Sequence, residues 1–69
     1  MKYEFIMKIK EFKSDEWHIK YRAVVKPERF QSMKYAYESV ANLKKAEWYD
    51  YVILINKLDD NSNFLEVIQ

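Results

Sequence analysis

Tyr3-Glu4-Phe5-Ile6-Met7-Lys8-Ile9-Lys10 sets apolar Tyr3, Phe5, Met7 and Ile9 against charged Glu4, Lys8 and Lys10, with Lys2 in step and Ile6 the one exception. A period of two sends successive side chains to opposite faces of a strand, so this stretch predicts a strand with one face buried. After the polar Lys13-Ser14-Asp15, which reads as a hairpin loop, the pattern returns: Trp17, Ile19, Tyr21, Ala23 and Val25 against His18, Lys20 and Arg22. Pairing Met7 with Tyr21 and Ile9 with Ile19 puts both apolar rows on one side. A slip of one residue would oppose apolar to charged side chains.

Downstream of this hairpin the period changes. Lys26-Pro27-Glu28 ends the second strand, because proline leaves a ladder without a donor and pre-sets φ for a first helical turn, where Glu28 suits the positive end of the helix dipole. Phe30, Met33, Ala36, Tyr37, Val40, Ala41 and Lys44 then recur at spacings of three and four. They predict the buried stripe of a helix whose outer face carries Gln31, Lys34, Tyr35, Glu38, Asn42 and Lys45. Lys44 and Lys45 fit its negative end, near Ala46.

The last third reads as a second hairpin: Trp48 to Leu58, the polar loop Asp59-Asp60-Asn61-Ser62-Asn63, then Phe64 to Ile68. Pairing Ile55 with Val67 and Leu54 with Ile68 leaves both faces apolar. One carries Tyr49, Tyr51, Ile53, Ile55, Leu65 and Val67, the other Trp48, Val52, Leu54, Leu58, Phe64 and Ile68. The expected fold is therefore α+β, in the order ββαββ: a four-stranded, largely antiparallel sheet of two hairpins with one helix packed on one face, residues 1–69 forming a single domain. The order of elements resembles the β-grasp domains of bacterial immunoglobulin-binding proteins in topology alone. No motif residue matches, and the resemblance carries no function.

Several function classes lose their usual supports. The chain has no cysteine, hence neither disulfides nor thiolate ligands, and no glycine, on which phosphate-cradling loops depend. His18 is the sole histidine, so a metal site would need carboxylates for nearly all its ligands, and as a general base it has only Ser14 and Asp15 nearby in sequence. The loop from Asp59 matches the first positions of a calcium loop, but Phe64 stands where the sharp-turn glycine belongs, so a hairpin turn accounts for it better. No catalytic, cofactor-binding or metal-ligating residues are assigned, and no enzyme activity or cofactor is expected. With neither an export signal nor an apolar run of membrane-spanning length, the expected setting is the cytoplasm, without a membrane partner.

Two candidate binding surfaces remain. One helix covers one face of a sheet, so the outer row of the second hairpin, Trp48, Val52, Leu54, Phe64 and Ile68, is the expected protein interface, with itself as a homodimer or with a target. The second is a basic row. Residues 1–45 carry 11 basic and 6 acidic side chains while residues 46–69 carry 1 and 5, and Lys8, Lys10, Lys20 and Arg22 line one side of the first hairpin, with Lys2 beside them. Asp50 and Glu66 are the candidates to neutralise them, and a nucleic-acid backbone the functional alternative. Lys, Ile, Asn, Tyr, Phe and Met fill 33 of 69 positions, the bias of AT-rich genomes and of many phage and mobile-element accessory genes. The reading that combines these features is a small interaction protein that binds and modulates a macromolecular partner, in its most concrete form a phage-like accessory factor inhibiting a host enzyme or defence system.

Overall fold

A computed structural model describes residues 1–69. Strands β1 (Lys2–Glu11) and β2 (His18–Val25) are followed by a 3₁₀ turn (Pro27–Arg29), helix α1 (Phe30–Ala46) and strands β3 (Tyr49–Leu58) and β4 (Phe64–Val67). The sheet order is β2-β1-β3-β4, and every neighbouring pair is antiparallel. The α+β, ββαββ architecture is thus the observed one, with the two hairpins joined through their first strands. Proline does not enter the helix proper: its φ suits the 3₁₀ turn, and α1 begins one turn later at Phe30.

Helix α1 lies over β1 and β3, the two central strands. Beneath it Phe5, Met7, Ile9, Val25, Ile53 and Ile55 of the sheet meet Tyr37 and Ala41 of the helix in one cluster. Aromatic edges run along this seam: Phe30 stands 4.7 Å from Tyr3 and 5.4 Å from Phe5, and Phe5 stands 5.4 Å from Tyr37, ring centre to ring centre. Tilted pairs of this kind add to area burial, which a chain without cysteine, and so without disulfides, needs. Tyr37 keeps its hydroxyl satisfied by donating to the Phe5 carbonyl at 3.3 Å, and its burial raises the phenol's pKa. Ala36, expected beneath the helix, is exposed, because the helix sits on two strands and its buried stripe is correspondingly narrow.

Both expected hairpin registers hold for part of their length and then break at a bulge on the edge strand. Met7 faces Tyr21, but Lys20 is an extra residue, so Lys8 faces Ile19 and Ile9 faces His18 in place of the expected Ile9–Ile19 pair. Leu58 faces Phe64, but Leu65 is extra, so Asn56 faces Val67 and Lys57 faces Glu66 in place of the expected Ile55–Val67 pair. Bulges belong at sheet edges, where added twist blunts an open ladder. Here they have a second effect. Ile19 and Val67, expected on the helix side, are turned onto the opposite side.

The molecule measures 39 × 22 × 15 Å with a Cα radius of gyration of 12.8 Å, against about 11 Å for a compact chain of this length. Its accessible surface is 5003 Å², against about 4,700 Å² for a typical monomer of its mass. The reason is architectural: two layers, one of them a single helix, leave one side of the sheet without a cover.

Candidate functional site

Residues opposite one another in a ladder point to the same side, so the pairings define the helix-free face row by row. Ile6 lies between Arg22 and Leu54, Lys8 between Ile19 and Val52, Glu4 between Val24 and Asn56, with Val67 beyond Asn56 on β4. Lys10 is level with Asp50 at one end, and Lys2 with Leu58 and Phe64 at the other. Ile6, Val52 and Leu54 are half-buried by their neighbours within the sheet, whereas Ile19, Phe64 and Val67 are 60%, 60% and 63% exposed. The face is an apolar centre with charges around it.

Most of those charges are neutralised in place. Glu4 accepts from Arg22 Nε at 2.7 Å and from Asn56 Nδ2 at 3.0 Å. The Asn56 amide, then the Arg22 guanidinium, hold the Glu4 carboxyl below the usual range against the opposing effect of its burial. Lys10 donates to Asp50 at 3.0 Å and its ammonium also lies 5.5 Å from the centre of the Trp17 ring. Lys2 reaches Ser62 Oγ at 3.4 Å. The basic row is therefore dispersed: Arg22 and Lys10 are ion-paired, and Lys20, as the bulge residue, places its ammonium over the ring of Tyr21 at 5.7 Å. Of the two expected counter-charges, Asp50 pairs with Lys10, while Glu66 lies on the far edge strand opposite Lys57. Lys8 alone stands on the helix-free face without an acidic or hydrogen-bonding partner in the chain.

The expected interface row is divided by the bulge at Leu65. Val52, Leu54 and Phe64 do stand on the helix-free face. Ile68 lies past the end of β4, where its N–H and that of Gln69 both donate to the Ile55 carbonyl, at 2.8 and 3.1 Å, so the expected pairing of Ile68 with Leu54 does not form. Trp48 belongs to neither face. It follows the helix end with φ 70°, its N–H donating to the Lys45 carbonyl and its carbonyl accepting from Phe12 N–H; the residue is 74% exposed, and its ring stands 5.7 Å from that of Phe12 beside a shallow hollow of about 290 Å³.

Sequence reasoning missed Ile6, Ile19, Val24 and Val67. For Ile6 a signal existed, since it breaks the alternation of β1 with an apolar residue in the charged row. For Ile19 and Val67 none did, because the bulges that redirect them have no local signature.

The remaining polar motifs have structural roles. Asp59 accepts the backbone N–H groups of Asn61 and Asn63 at 2.9 Å each, and the bond from Asn63 is the main cause of its lowered pKa. The left-handed position of this turn is Ser62, φ 66°, rather than an Asn or Asp as the usual preference suggests. His18 Nε2 lies 3.9 Å from the Glu16 carboxylate, and Ser14 Oγ accepts the Glu16 N–H, which ties down the β1–β2 loop. No helix is long and apolar enough to cross a membrane. No protein-family model, curated protein or solved structure matches this chain.

Proposed function

We propose that this chain is a non-enzymatic, cytoplasmic interaction protein that binds and modulates a macromolecular partner, with the helix-free face of its sheet as its protein-binding surface. One observation carries the reading: an apolar face spanning all four strands, with Ile6, Val52 and Leu54 at its centre, has no helix or sheet over it, and only Leu58 at its end is buried. Contiguous apolar area of this kind on a folded chain marks an association site. The charges around it are largely paired within the chain, so docking would leave few of them buried without a partner. The AT-rich composition supports the specific version, a phage or mobile-element accessory factor that inhibits a host enzyme or defence system.

The test is Val52→Lys combined with Leu54→Glu. Both side chains lie outside the core under the helix, so the variant is expected to keep its circular dichroism while losing protein association, read as mass in solution and as captured partner from the native host. Unchanged mass and unchanged capture by a folded variant would sink the reading. The alternative, a nucleic-acid module using Lys8, Lys10, Lys20 and Arg22, has less support, because two of these cations are ion-paired and a third is turned toward Tyr21. Low-salt binding to single- or double-stranded nucleic acid that Lys8→Glu plus Lys20→Glu abolishes would restore it.

A further inference from the structure

The sheet has two outer edges, and they differ. At one, β4 offers 4 residues; at the other, β2 runs for 8, from His18 to Val25. Helix α1 lies over β1 and β3, so β2 stands at its flank, with Ile19, Tyr21 and Val24 exposed. Strand β2 pairs with β1 alone, and no backbone N–H or C=O from His18 to Val25 bonds outside that ladder. The bulge at Lys20 interrupts the His18 end. From Tyr21 to Val25 the pairing with β1 runs unbroken, so this stretch keeps a regular outer row of free donors and acceptors. Charge along the edge has one sign: from His18 to Lys26 the chain carries Lys20, Arg22 and Lys26 and no carboxylate. Lys20 and Lys26 are in no ion pair, and Glu4 engages Arg22 through Nε and Nη2, which leaves Nη1 of the guanidinium for a second carboxylate.

We propose that the outer edge of β2 accepts an extended, acidic segment of a partner protein as a fifth strand of the sheet. This surface is distinct from the helix-free face and does not depend on it. The ladder selects the backbone. Free N–H and C=O groups in alternation are matched by another peptide, whereas the phosphates of a nucleic acid, acceptors only, leave half of them unmet. Charge selects the side chains. Like charges opposite one another weaken strand pairing, so Lys20, Arg22 and Lys26 oppose a second copy of β2 and favour a strand carrying carboxylates. Basic residues on an edge guard it against pairing, but the guard acts by sign, and an acidic strand passes it. Side chains of the added strand alternate: carboxylates on the helix-free side meet Arg22, and apolar groups on the other side meet Tyr21 and Ala23.

The probe is a capped peptide of alternating glutamate and valine, as long as β2, titrated to millimolar concentration into the isotope-labelled protein. At saturation, exchange of alternate backbone amides from Tyr21 to Val25 is expected to slow by about tenfold or more, while the amides of the β1–β3 ladder are unchanged. Exchanging the peptide's glutamates for lysine is expected to weaken binding by about tenfold, as is Lys20→Glu plus Lys26→Glu, two exposed positions outside the core. Two N-methylated peptides decide the mode and need no protein variant. Methyl groups on one alternate set of amides face β2 and abolish binding; on the other set they point away and leave it intact. Equal binding of the two methylated forms, equal binding of the lysine peptide, or no alternate protection in β2 overturns the proposal. Protection of β2 by a single-stranded oligonucleotide and not by the peptide overturns it in favour of nucleic acid. Val52→Lys/Leu54→Glu is expected to leave peptide binding unchanged, so the helix-free face and the β2 edge fail separately. Loss of the peptide by that variant, still folded, would place it on the open face and overturn the edge.

Discussion

The two faces of the sheet are made from alternate residues of the same strands, yet they solve different problems. Phe5 on the helix side is fully buried against Phe30 and Tyr37, while Ile6, its neighbour, lies between Arg22 and Leu54 with nothing above it. The helix side is the interior of a folded chain. The other side has an interior's composition in its centre and a surface's charges around it, and those charges are mostly satisfied locally. Apolar character alone therefore does not identify a core. What separates the two faces is whether another element of the same chain packs on them.

The largest expected effect tests that separation directly. Phe5→Ala should cost about 3–5 kcal/mol, most or all of the stability of so small a domain, because it opens a cavity in the only closed core. Ile6→Ala should cost the monomer about 1 kcal/mol or less, as the removed methyl groups lie on an uncovered face. Urea unfolding in the Val52→Lys/Leu54→Glu background, where only the monomer's stability is read, makes the comparison. Equal costs at the two positions would show that both faces are packed within one chain.

An intermediate effect comes from Glu4, the anchored charge of the open face. Its side chain is only 14% exposed and its folded pKa lies below the ordinary carboxylate value, held there first by Asn56 and then by Arg22. A depressed folded pKa contributes stability that is complete above the unfolded value of about 4.3 and is lost as pH falls through the folded value. Glu4→Gln should therefore lower stability by about 1–2 kcal/mol at neutral pH and flatten the decline below about pH 4.5. Thermal melts across pH 2.5–7 read both, and a wild-type decline that Glu4→Gln leaves unaltered would remove the charge from the account.

The smallest expected effect is at Trp48, which stands outside both faces. A left-handed backbone costs a non-glycine residue about 1 kcal/mol, and the edge-on contact with Phe12 returns a similar amount. Trp48→Gly should shift the melting midpoint by only a few degrees, equivalent to less than about 1 kcal/mol, with the helix end intact. A collapse of stability would make Trp48 a structural anchor on which β3 depends.

The strands, the helix stripe and the polar turns were legible because their signals are local. Tyr3, Phe5, Met7 and Ile9 alternate as a half-buried strand must, and they line the core side of β1. The recurrence of Phe30, Met33, Tyr37, Val40 and Ala41 marks the face that α1 turns to the sheet. Even the surplus of apolar surface could be read from the second hairpin, although its residues could be assigned only in part: Val52, Leu54 and Phe64 stand on the open face, while Trp48 and Ile68 lie outside the strands that form it. The register near each bulge was not legible. Lys20 and Leu65 are unremarkable strand residues, and nothing beside them announces an extra position.

Periodicity thus settled which elements form and which residues of the central strands face the helix, since both follow from backbone geometry within a few residues. The order β2-β1-β3-β4, the pairing of Lys10 with Asp50 across 40 positions of sequence, and the turning of Ile19 and Val67 to the uncovered side were decided only when the strands assembled. The physical reason is that an edge strand has one neighbour and, here, no helix over its outer end. Its register there is set by twist and by what packs above it rather than by its own pattern.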